Sequence, residues 1–64
     1  MNNYLDLTDE TGQDIYVNIK YIVMFREGPK SHSLIWTVES KDPLIVRDTV
    51  YDIKEKLKYA AEYR

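Results

Sequence analysis

A chain of 64 residues without one cysteine can hold itself together only through a single small apolar core. A domain of that size buries only about 60% of its unfolded surface, and disulfides or thiolate-held metals cannot add to it. Each apolar position therefore has to face the right way, and the period at which apolar residues recur is the main guide to the fold. The missing cysteines also favour an intracellular, cytoplasmic setting. No membrane segment is expected, because the longest apolar run, Tyr21 to Phe25, is far too short to span a bilayer and "MNNYLDL" lacks the features of a leader.

Through residue 47 the period is two. Leu5 and Leu7 alternate with Tyr4, Asp6 and Thr8, "DETGQ" turns the chain with Gly12, and Ile15 and Val17 continue the alternation on a returning strand that Asn18 ends or bulges. Ile19 to Arg26 is rich in β-branched and aromatic residues and stops at Gly28-Pro29, since proline cannot donate to a ladder. Leu34, Trp36 and Val38 form one phase of a fourth strand, "SKDP" turns it, and "LIVR" is a short fifth. The pattern then changes. Val50, Ile53, Leu57, Ala60 and Ala61 recur at spacings of three and four, the stripe of an amphipathic helix, with Thr49 as N-cap and Asp52 three positions on. Asp52 with Lys56 and Glu55 with Lys58 stand at helical spacing as surface pairs. The expected fold is α+β: one domain over 1–64, with an antiparallel, strongly curved meander of four to five short strands in 3–47 and one C-terminal helix in 49–63 packed on one face.

The chemistry-bearing residues do not assemble into a site. Nine basic and eleven acidic side chains leave a net charge of −2, the wrong sign for a protein that neutralises phosphates. "EGPKSHS" at 27–33 has one glycine and runs into the strand "LIWTV", whereas a phosphate cradle needs a second glycine and a helix start. It reads as a hairpin loop. His32 has no histidine or cysteine partner for a metal and sits too close to Ser31 and Ser33 for base catalysis, so it reads as an exposed loop residue. Asp9 and Glu10 lie in a turn, where solvent would keep their acidities ordinary. No enzyme, cofactor or metal is expected.

Residues Leu5, Leu7, Thr8, Gly12, Ile15, Val17, Asn18 and Ile22 in "LDLTDETGQDIYVNIKYI", followed by "VRDTVYDI" with Thr49 at a usual serine position, resemble the small FlbD-type flagellar proteins of bacteria. The resemblance spans the chain apart from Arg26 to Ser33. "SKDP" stands where that family has an Asn-Gly-like turn, and Trp36 and the tyrosine-rich helix are additions. It implies a small non-enzymatic accessory or regulatory protein of motility, with partners the motif does not identify.

Surface patterning points to protein binding. Leu5, Leu7, Ile15, Val17, Leu34, Trp36, Val38, Leu44 and Val46 share one strand phase, which the helix can cover, with Trp36 in the core. Tyr4, Tyr16, Ile22, Met24, Ile35 and Ile45 fall in the other phase and need either a strongly curled sheet or a second chain over them. A homo-oligomer or a partner protein of the cell or a host is the expectation. On the helix, Tyr51, Glu55, Tyr59 and Glu62 lie away from the apolar stripe as a second interface candidate. The alternatives are a phage or mobile-element inhibitor of a host protein, capture of a small ligand at an oligomer interface, and a nucleic-acid module. The last would use Lys20, Arg26, Lys30, His32 and Lys41 on phosphates with Tyr16 or Trp36 stacking, against the charge balance.

Overall fold

The computed structural model describes residues 3–62, with side chains through Ala60. Of the sequence expectations, position 63 of the helix and the Glu62 side chain lie outside the described residues. Strands β1 (Tyr4–Thr8) and β2 (Asp14–Asn18) form an antiparallel hairpin in which Leu5 faces Val17 and Leu7 faces Ile15. Residues directly opposite share a face, so these four make its apolar side. The turn is organised by Asp9, whose carboxylate accepts the Thr11 hydroxyl at 2.6 Å and the amides of Thr11 and Gln13 at 2.9 and 3.0 Å. Gly12 takes φ +97° within it, a conformation that side chains resist. The Thr11 hydroxyl above all, then the Gln13 amide, favours the ionised form and lowers the Asp9 pKa below 3.8. This turn acidity is therefore not the ordinary one that solvent exposure alone suggests.

Asn18 ends β2 by capping: its side-chain oxygen accepts the Lys20 amide at 3.0 Å, starting a single 3-10 turn, Ile19–Tyr21. The chain then enters a three-stranded antiparallel sheet in the order β3 (Ile22–Glu27), β4 (Ser33–Thr37) and β5 (Leu44–Val46). Ile22 faces Thr37, but Met24 faces Trp36, so β3 carries one extra residue at Val23. Such a bulge resets the side-chain phase. Ile22 and Phe25, rather than Ile22 and Met24, pack against the core as a result.

The two sheets are stitched where β5 leaves β4. Asp9 bridges to Val46, the Arg47 amide donates to the Thr8 carbonyl at 2.7 Å, and the Thr8 amide donates to Asp48 Oδ1 at 2.7 Å. Asp48 continues the ladder with its side chain after the backbone has turned away. Its main-chain oxygen also accepts the Ser33 hydroxyl at 2.7 Å, satisfying the one buried polar side chain of β4. At the opposite end the Val38 amide donates to the Tyr21 carbonyl at 2.9 Å.

Helix α1 (Val50–Glu62) starts as expected, with Thr49 Oγ1 accepting the Asp52 amide at 3.1 Å. Ile53 and Ala60 are buried and Leu57 packs beside them. The core is Leu5, Leu7, Val17, Ile35, Val46 and Ile53. Lys56 does not pair with Asp52. It turns toward the sheet, donates to the Asp6 carbonyl and stands 3.4 Å from Asp48 Oδ2.

The phase of β4 is opposite to the expectation. Ile35 is fully buried, while Leu34 and Trp36 are only half-buried and Val38 is exposed. Leu44 is exposed too, leaving Val46 as the inward residue of β5. "SLIWT" is apolar on both phases over its middle, so alternation alone does not choose between them. The choice is made by the partners: Ser33 and Ile35 sit opposite Val46 and Leu44, and Ser33 finds its acceptor only on the Asp48 side.

Candidate functional site

Because Ile35 points inward, Trp36 points out. In register with it are Met24 on β3, then Arg26 opposite Leu34, and Leu34 opposite Ile45. Met24, Arg26, Leu34, Trp36 and Ile45 therefore share the outer face of the three-stranded sheet, with Met24 46% and Ile45 37% exposed. The Arg26 guanidinium lies 5.4 Å from the centroid of the Trp36 ring. That is cation–π range, about 0.5–1 kcal/mol at an exposed site. Among the described residues its one hydrogen bond is a long 3.5 Å contact to the Glu27 carbonyl, and the single ion pair there is Lys56 with Asp48. The result is an oriented cation on the edge strand of an apolar face, with no carboxylate on it among the described residues.

The six second-phase residues do not form one surface. Met24 and Ile45 lie on this outer face, whereas Tyr4 and Tyr16 stand on the outer side of the β1–β2 hairpin, Tyr16 65% exposed. Ile35 is 0% exposed and cannot touch another chain; it is a core residue, because β4 is turned over relative to the expected phase. Ile22 is half-buried against the same core, placed there by the bulge. Trp36, assigned to the core from its strand phase, is the residue that sequence reasoning missed. The available signal was its place in a run apolar on both sides.

Tyr51, Glu55 and Tyr59 are exposed on the outside of α1. Glu55 and Tyr59 also border a groove of about 560 Å³ between α1 and β1, lined further by Tyr4, Asp6, Lys56 and Lys58. The five basic candidates are divided. Lys30 and His32 sit in the β3–β4 loop with Arg26 just before it, while Lys20 precedes β3 and Lys41 follows β4 at the opposite end of the sheet. They form no continuous track.

The loop 28–32 closes on itself, the Gly28 amide donating to the His32 carbonyl at 2.7 Å and the His32 amide to the Pro29 carbonyl at 3.0 Å. His32 is half-buried rather than exposed. Ser33 is buried with its hydroxyl committed to Asp48, so it offers no nucleophile to His32. Lys30 and Ser31 both hold positive φ, 60° and 65°, a conformation that disfavours residues with a Cβ. Among the described residues no three His, Asp or Glu side chains are grouped to hold a metal, and no helix is long and apolar enough to cross a membrane.

No protein-family model, no curated protein and no solved structure matches the chain.

Proposed function

We propose that this domain is a non-catalytic protein-binding module that acts through the outer face of its three-stranded sheet. The observation that carries the reading is the placement of Trp36. In a chain with so little apolar material, its one tryptophan is kept half out of the core, beside Met24, Leu34 and Ile45 and under Arg26. Tryptophan and arginine are the side chains that dominate protein interfaces, and contiguous apolar patches on small monomers mark such sites. An accessory or regulatory role like that of the FlbD-type proteins is compatible with a surface of this kind and rests on the residues that carry that resemblance.

The test is site-resolved cross-linking. A photoreactive residue at Met24 is expected to give a discrete protein adduct that disappears with Ile45→Ser, while the same group at Thr11, in the Asp9 turn, gives none. Equal labelling at both positions would remove the reading. A second reading, small-ligand capture, is favoured by the groove between α1 and β1, whose volume of about 560 Å³ lies within the usual range for ligand sites. Native mass spectrometry of the purified protein reads it directly, and a mass equal to the bare chain counts against it.

A further inference from the structure

Strand β3 is paired on one side only. Its neighbour is β4 and no strand lies beyond it; besides that ladder, its backbone is hydrogen-bonded among the described residues only at its two ends, where the Ile22 amide donates to the Ile19 carbonyl and the Glu27 carbonyl accepts the long 3.5 Å contact from the Arg26 guanidinium. An unpaired edge presents a row of N–H and C=O groups that an added strand can use. The bulge at Val23 interrupts the first part of this edge, so the regular stretch is Met24–Glu27. Along it, side chains on the outer face belong to Met24 and Arg26, two residues apart, and a strand added there would place its own alternate side chains beside them.

Charge decides what kind of strand fits. Arg26 is held over Trp36 and, among the described residues, has no carboxylate on it, whereas Met24 is apolar and exposed. A basic or purely polar segment would leave the guanidinium unpaired and cover Met24 with water-seeking groups. We infer that the β3 edge and the outer face beside it take an extended segment of a partner protein that carries a carboxylate over Arg26 and an apolar side chain two residues away over Met24. Backbone pairing supplies affinity without sequence preference. The carboxylate on a planar, pre-oriented guanidinium supplies specificity, since that pair can be bidentate. This inference rests on the docking reading above and adds the chemistry of the partner.

The experiment is selection of a phage-displayed library of random nine-residue peptides on the full chain, in parallel with Arg26→Gln. The expected outcome is enrichment of peptides with Asp or Glu two positions from a β-branched or aromatic residue, absent with the variant. The leading peptide, made synthetically, should shift the amide resonances of Met24–Glu27 and the Trp36 indole. Replacing its acid by the amide should weaken binding roughly tenfold, the factor that 1.4 kcal/mol represents. That comparison leaves the protein unaltered, so it holds even if Arg26→Gln disturbs folding. Enriched peptides that shift the same amides but need no acid overturn the inference and leave the docking reading standing. Shifts confined to α1, or to the hairpin, overturn both. No enrichment overturns the inference, and cross-linking at Met24 then judges the docking reading alone. Sedimentation that shows a dimer dissociated by Arg26→Gln would assign the face to a second copy and also refute it.

Discussion

Replacing Asp48 tests how the two sheets and the helix are held together. Its carboxylate accepts the Thr8 amide at 2.7 Å through one oxygen and faces Lys56 at 3.4 Å through the other. A hydrogen bond to a charged group contributes about 1.5–3 kcal/mol, and the higher end applies when a partly buried donor is left without a partner. The Lys56 pair adds little, about 0.5 kcal/mol, because the Lys56 side chain is 41% exposed and solvent screens it. Asp48→Ala should therefore cost about 2–4 kcal/mol. A domain of this length has a total stability of roughly 3–10 kcal/mol, so the variant should lose a large part of it. Asp48→Asn keeps an acceptor for Thr8 and loses only the charge, costing about 1 kcal/mol. Neither variant removes the Ser33 hydroxyl bond, which goes to the Asp48 main-chain oxygen. Urea denaturation followed by Trp36 fluorescence measures both. Equal losses for Ala and Asn, or an Ala loss under about 0.5 kcal/mol, would show that the ladder does not depend on this side chain.

Ile35→Ala should destabilise by about 2–5 kcal/mol because it empties a fully buried site, and Trp36→Ser by less; thermal melts giving the reverse order would contradict the phase of β4. Ser31→Gly should raise stability by about 0.5–1 kcal/mol, since glycine relieves the positive φ of 65°; a lower melting temperature would mean the serine makes compensating contacts. For Asp9 the folded pKa is depressed below 3.8, so its ionised form stabilises the fold above that value and the contribution is lost as pH falls through the lower folded pKa. The stability difference between wild type and Asp9→Asn should accordingly be flat near neutrality and shrink only below 3.8; a difference that stays constant into strong acid would argue against the Thr11 and Gln13 bonds as its source.

Much of this fold is local and therefore legible along the chain. Leu5, Leu7, Ile15 and Val17 occupy one face of a hairpin because strict alternation with polar neighbours leaves a single way to pair them, and Asp9 and Gly12 supply a turn at the right place. The helix is equally explicit, since Thr49 meets the first free amides and Ile53, Leu57 and Ala60 follow at a spacing only a helix brings to one side.

The outer surface was decided elsewhere. In β3 and β4 both phases are apolar, so burial does not select a register by itself, and selection falls to contacts between residues far apart in the chain. Val23 is accommodated as a bulge, Ser33 finds the carbonyl of Asp48, and Asp48 finds the amide of Thr8 across 40 positions. Those three events turn Ile35 inward and Trp36 outward, and they move Lys56 from its helical neighbour Asp52 to the sheet. Period and capping act between near neighbours and can be read from spacing. The side on which a doubly apolar strand buries itself depends on which distant hydrogen-bonding groups would otherwise be left unpaired, and that is settled only when the sheets close.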